Sequence, residues 1–145
     1  ATRVSRQLQA TGWLASPIMM EIAARWIASG TTTTIIADRR REAEARQALL
    51  RHALGLSRSV GSPHALHHWL ELPRQWGRAS DFVDTLRRRG VLVTSGDAFA
   101  VDATQPVRAV RVSLGAAPDH AALAGALEAI ASLLGEDPEP VRPAR

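Results

Sequence analysis

Residues 107–114 read VRAVRVSL, and the alternation of their side chains decides the fold class of the chain. Successive side chains of a β-strand point to opposite faces of the sheet. The members of one face are apolar and can join a hydrophobic core: Val110, Val112 and Leu114. Arg111 lies on the other face, between Ala109 and Ser113. The pattern therefore predicts a strand with one buried face and one face that carries a cation.

A second strand with the same alternation is predicted over residues 64–73, HALHHWLELP. The residues expected on its core face are Leu66, His68, Leu70 and Leu72. Trp69 lies on the opposite face, flanked by His67 and Glu71. The two stretches together predict a sheet in which each strand is buried on one side.

The segment between these strands is predicted to contain a helix and two shorter strands. Ser80 is a plausible N-cap for a helix that runs to Arg89, and Gly90 would end it. Val91–Thr94 follows as a short buried strand. After a turn at Ser95–Asp97, we expect a further strand at Phe99–Val101.

Two helices are predicted ahead of the sheet. Ser16 followed by Pro17 is typical of a helix start, and the first helix should run to Gly30. The threonines at 31–34 favour capping, so the second helix is expected from Ile35 to Leu54. Its expected buried stripe comprises Ile35, Ile36, Ala43, Leu49, Leu50, Ala53 and Leu54. Arginines crowd the rest, and Arg46 is placed there in an i, i+4 pair with Glu42.

A last helix should begin at Pro118-Asp119 and end at Gly135. Its expected inward residues are Leu123, Leu127, Ile130 and Leu134. The order of helices and strands predicts an α+β fold, with a small, mainly antiparallel sheet covered by helices.

Composition excludes several chemistries. The 145 residues are 46% hydrophobic, as in ordinary globular domains, and no apolar run is long enough to span a bilayer. The chain contains no cysteine, which excludes disulfides and cysteine-ligated zinc. All 18 residues of the Lys and Arg group are arginine, so no lysine amine can form a Schiff base. The net charge of +4 is spread along the chain and does not indicate nucleic-acid binding. We expect a cytoplasmic protein.

Several segments, in their order, resemble the part of class I/II (fold type I) pyridoxal-phosphate aminotransferases that follows the cofactor lysine. They are the Ser16-Pro17 helix, the arginine-rich helix, WLELP at 69–73, GVLV at 90–93 and VRVSLG at 110–115. Ser95 departs from the family, which usually has proline before the turn glycine. The chain is most similar to the aminotransferase-like regions of MocR-type regulators of the GntR family.

The resemblance implies that this chain is a C-terminal small domain whose large, pyridoxal-phosphate-binding domain lies elsewhere. Residues 1–30 would then form a helical segment at the junction with that domain. Residues 31–135 would form the small domain, and 136–145 a disordered tail. The cofactor would belong to the parent protein and would not be bound covalently here, so this chain alone would not be catalytic.

The resemblance also assigns a role to Arg111. In the family, the arginine of the matching strand binds the α-carboxylate of the amino-acid ligand, since a guanidinium can bond both carboxylate oxygens. The alternative from the residues alone is an ordinary arginine on a solvated sheet face. Arg108 points away from Arg111 and is expected on the surface.

The resemblance implies further partners, and other interpretations of the chain remain open. A homo-oligomer is expected, and DNA would be bound only through a separate domain of the parent. His64, His67 and His68 suggest a metal site, but His67 and His68 face opposite sides of a strand, which favours structural roles. The functional alternatives are the small domain of a free-standing amino-acid aminotransferase and an autonomous structural or dimerisation module.

Overall fold

A computed structural model of the protein describes residues 16–56, 62–102 and 104–136. The elements in chain order are α1 (Pro17–Ala28), α2 (Thr31–Leu54), β1 (His67–Glu71), α3 (Ala79–Arg88), β2 (Thr94–Ser95), a 3₁₀ helix (Gly96–Phe99), β3 (Ala109–Ser113) and α4 (His120–Leu134). The α+β class with an antiparallel sheet is confirmed.

The sheet has three strands in the order β1-β3-β2, so β3 lies in the centre. Both neighbours pair with β3 in the antiparallel sense. Arg111 is the register partner of Trp69 on β1 and of Thr94 on β2. Side chains directly opposite in a sheet share a face, so these three residues form a row across it.

The core lies on the other face of the sheet. Leu70, Val110 and Val112 pack there against apolar side chains of α2, α3 and α4. The helical members that are almost fully buried are Leu50, Phe82, Leu86, Leu127 and Ile130. Burying these side chains removes apolar area from water and is the main driving force for this fold. The predicted core faces of the two longer strands are therefore confirmed, with Leu66 the exception because its side chain is exposed.

Contacts divide the chain into two units, one ending at Arg40 and one beginning at Arg41. In the first unit, α1 has no buried residue, and its large apolar side chains are exposed. The first unit also contains Ile35 and Ile36, which are 39% and 45% exposed, so their predicted burial is wrong. Helix α2 begins at Thr31 instead of Ile35, because the Thr33 and Thr34 amides donate to the Gly30 carbonyl.

One predicted short strand is displaced and the other is wrong. The strand predicted at Val91–Thr94 forms only at Thr94–Ser95, because the Val91 amide still donates to the Leu86 carbonyl at the end of α3, at 3.0 Å. Leu92 is 75% exposed. Phe99 belongs to the 3₁₀ helix, since the chain turns at Ser95, whose hydroxyl accepts from the Asp97 amide.

Helices α1, α3 and α4 start close to their predicted positions, but only α4 has a side-chain cap. Asp119 caps α4 by accepting from the Ala122 amide at 2.8 Å. Helix α1 starts at Pro17 as expected, but the Ser16 side chain makes no capping bond. Ser80 is not the N-cap of α3, because the helix already begins at the buried Ala79.

No helix among the described residues is long and apolar enough to cross a membrane. The predicted tail lies outside the described residues except for Glu136, and so do residues 1–15.

Candidate functional site

Arg111 occupies the middle of the sheet face that is turned away from the core. Its neighbours Val110 and Val112 are 0% and 4% exposed and fill the core, so strand alternation forces Arg111 onto the opposite face. Arg111 itself is half-buried. Arg108, just before the strand, is exposed, as its predicted surface position requires.

The guanidinium of Arg111 contacts an aromatic ring. Its Cζ lies 4.9 Å from the centre of the Phe99 ring, in cation–π contact. Its Nε is buried and has no hydrogen-bond partner among the described residues. Within that same part of the chain, no carboxylate lies at ion-pair distance from Arg111. The guanidinium therefore makes no ion pair with a described residue, and its planar fork has the geometry that suits a carboxylate.

Trp69 and Phe99 complete the surroundings of Arg111. Their rings meet edge to face, with centroids 5.8 Å apart and an angle of 74° between the planes. They are 44% and 47% exposed, so each presents one side to solvent. Neither ring was predicted from the sequence to belong to the site. The face of Trp69 was predictable from strand alternation, whereas the position of Phe99 depends on a 3₁₀ helix that was predicted as a strand.

The turn that carries Phe99 is fixed by Asp97. Its carboxylate accepts from the Val107 amide at 2.9 Å and from the Ser95 hydroxyl at 3.0 Å. These two hydrogen bonds, the Val107 amide first, lower the pKa of Asp97 below its usual value. The ionised carboxylate thereby ties the 3₁₀ helix to the segment that leads into β3.

A glycine allows this turn to approach the sheet closely. A Cβ on Gly96 would lie 2.6 Å from Val107 Cγ1, 2.7 Å from the Ala109 carbonyl oxygen and 3.2 Å from Trp69 Cη2. No side chain fits at those distances. Gly96 therefore allows the turn to lie close to β3 and to the Cη2 edge of the Trp69 indole.

A second arginine, Arg46, is buried in a different setting. It donates to the Leu114 carbonyl at 2.7 Å and the Ala117 carbonyl at 2.9 Å, and its Nε donates to Glu42 at 2.6 Å. The predicted Glu42–Arg46 pair is thus confirmed, but the predicted solvated position of Arg46 is wrong, because only 8% of the residue is exposed. The bond from Arg46, together with one from His120, lowers the pKa of Glu42. Arg46 therefore anchors the segment after β3 to α2.

The histidines face different surroundings. His68 is buried on the core face, which lowers its pKa by desolvation, while His67 is exposed on the other face. His64 Nδ1 lies 3.3 Å from a Glu44 carboxylate oxygen. The described residues contain no group of three or more histidine, aspartate or glutamate side chains placed to hold a metal ion.

A cleft of about 600 Å³ lies beside the 3₁₀ helix. Its lining includes Arg78, Asp97 and Thr104 but not Arg111. The Asp97 carboxylate is already used by Val107 and Ser95. The cleft is therefore a weaker candidate for ligand binding than the half-exposed cation at Arg111.

The chain is similar to a transcriptional regulator. Over 111 residues it is 30% identical to the uncharacterized HTH-type transcriptional regulator YdeF of Bacillus subtilis (strain 168). The match covers 77% of this chain but 24% of that protein, so the chain spans about a quarter of the length of this relative. No protein-family model matches the chain.

Proposed function

We propose that this chain is the C-terminal small domain, and the ligand-binding region, of a MocR/GntR-type transcriptional regulator, and that Arg111 binds the carboxylate of an amino acid. The observation that carries the proposal is the partly exposed guanidinium of Arg111, which has no ion-pair or hydrogen-bond partner among the described residues. The similarity to an HTH-type transcriptional regulator supports the regulatory part. DNA would then be contacted by another domain of the longer protein.

In the proposed protein, pyridoxal phosphate would be bound by a part of the polypeptide other than this chain. When bound, the cofactor supplies an aldehyde that condenses with amines and withdraws electrons from the attached carbon. The residues of this chain do not fit it as a covalent partner, because the sequence has no lysine. The chain would bind and orient the amino acid, with Arg111 fixing one end of the ligand.

The exposed apolar side chains of α1, in the first unit, support the proposal that another domain covers this helix. The apolar side chains of α1 include Met19, Trp26 and Ile27, which are 64%, 49% and 68% exposed. Exposed apolar patches of this kind are typical of surfaces that another domain or protein covers. In the proposed protein, the occupant would be the large cofactor-binding domain.

The test is Arg111→Lys in the longer polypeptide encoded with the sequence upstream of Ala1. A point charge replaces a bidentate fork, so amino-acid affinity should fall by about tenfold or more, with cofactor absorbance unchanged. Arg108→Lys, an exposed arginine three residues away, is the matched control and should have no effect. Unchanged affinity of Arg111→Lys for every amino acid that the unmodified protein binds would remove Arg111 from the site. An upstream sequence without a lysine-bearing cofactor segment would contradict the family assignment.

A further inference from the structure

We infer that Trp69 and Phe99 form a side-chain subsite beside Arg111, which selects monocarboxylates that carry an aromatic or bulky apolar group. This inference rests on the proposed carboxylate-binding role of Arg111. It concerns the part of the ligand next to the carboxylate, which that role leaves undefined.

Arg111, Trp69 and Phe99 form one continuous surface. Arg111 is the register partner of Trp69, and its Cζ lies 4.9 Å from the centre of the Phe99 ring. The two rings contact each other edge to face. In the inferred subsite, the carbons next to a carboxylate bonded to the guanidinium would lie beside the half-exposed rings. An aromatic group placed there can extend the existing edge-to-face arrangement.

Local contacts restrict the positions of the Trp69 and Phe99 rings. The Cη2 edge of the Trp69 indole lies close to Gly96, where an added Cβ would be 3.2 Å away. Phe99 is carried by a 3₁₀ helix that the Asp97 carboxylate ties to Val107. Side chains already held in place lose little conformational freedom when a ligand binds, which increases affinity for a ligand of matching shape.

An acidic side chain, Glu71, lies on the same sheet face as the Trp69 ring. Glu71 follows Trp69 by two residues on the same face of β1 and is exposed. Glu71 pairs with Ala109 and is thus a diagonal neighbour of Arg111, so a second carboxylate placed on that side of the guanidinium would be repelled by its like charge. An apolar group on the ligand would contact the two rings without this repulsion. The surroundings therefore favour monocarboxylates over dicarboxylates.

The experiment compares 3-phenylpropionate, propionate and 3-phenylpropanamide as ligands of the full 145-residue chain. Binding is followed by NMR through the Trp69 indole N–H and the Arg111 Nε–H. We expect 3-phenylpropionate to bind about tenfold tighter than propionate, since an aromatic contact contributes on the order of that factor. Trp69→Ala and Phe99→Leu should each reduce this preference without abolishing propionate binding. Trp26→Ala, a similarly exposed tryptophan on α1, should preserve the preference.

The outcomes separate the two proposals. Equal affinity for both acids, unchanged by Trp69→Ala, would overturn the aromatic subsite and leave the carboxylate role of Arg111 intact. Binding of the uncharged amide as tight as that of 3-phenylpropionate would overturn the carboxylate role, and with it the ligand class inferred here. Absence of any ligand-induced shift at Arg111 or Trp69, up to the solubility of both acids, would overturn the subsite in this chain, while the carboxylate role of Arg111 would still be decided by Arg111→Lys in the longer protein.

Discussion

Two regions of the molecule hold an arginine that is at least partly buried, and they differ in what surrounds the guanidinium. Around Arg46, two backbone carbonyls and the Glu42 carboxylate accept its hydrogen bonds. Around Arg111, the guanidinium contacts an aromatic ring, and its Nε has no partner in the described chain. A cation removed from water is costly unless it is paired. Arg46 is already satisfied by partners within the fold, whereas Arg111 lacks such partners and is the arginine that we propose binds a ligand.

The largest expected effect on the free energy of unfolding comes from a substitution in the Arg46 region. Arg46→Met leaves the Leu114 and Ala117 carbonyls without their donor and removes a charged hydrogen bond, so we expect a loss of about 2–4 kcal/mol in the free energy of unfolding. Urea titration of the full chain measures it. Arg40→Met, at an exposed position of the same helix, is the control and should change stability by less than about 0.5 kcal/mol. Similar losses in both variants would show that the bonds of Arg46 contribute little.

A smaller effect on the free energy of unfolding is expected from a substitution of Arg111. Arg111→Met removes the cation–π contact with Phe99 but no hydrogen bond from Nε to a described residue. Stability should therefore change by less than about 1 kcal/mol, because contacts of this kind contribute roughly that much. The same urea titration serves as the measurement. If Arg111→Met costs more stability than Arg46→Met, the distinction between a structural and a ligand-binding arginine fails.

The smallest effect is the pH dependence of the Arg46 region. The folded-state pKa of Glu42 lies below its ordinary value of 4.5, chiefly because Arg46 donates to it. Its contribution is therefore fully present above about pH 4.5 and is lost as the pH falls through the folded-state pKa. The Glu42→Gln variant should be less stable than the unmodified chain above that pH, and the two should converge in acid.

A double-variant comparison identifies the cause of this pH dependence. In an Arg46→Met background, the pH-dependent loss of stability caused by Glu42→Gln should shrink, as followed by urea midpoints at several pH values. A loss that stays at full size would assign the effect to His120, which also bonds Glu42.

Local patterns predicted much of the fold. Strand alternation placed Val110 and Val112 in the core and Arg111 opposite them, because the backbone of a strand alone fixes which side chains share a face. Helix α4 was predicted from the same kind of periodicity, and Asp119 indeed caps it. Short segments were predicted less well. The segment at 91–93 has apolar strand composition, yet its first amide bonds back to the end of α3.

The sequence by itself determined that this chain can form no Schiff base through a lysine, and that Arg111 lies on the opposite face of its strand from the core residues. Only the tertiary structure decided which arginine is satisfied. Arg46 belongs by its pattern to a polar helix face, but its carbonyl partners Leu114 and Ala117 lie 68 and 71 residues further along the chain. Phe99 likewise reaches Arg111 only through a turn fixed by Asp97. Periodicity describes neighbours within one element, whereas these contacts join elements distant in sequence.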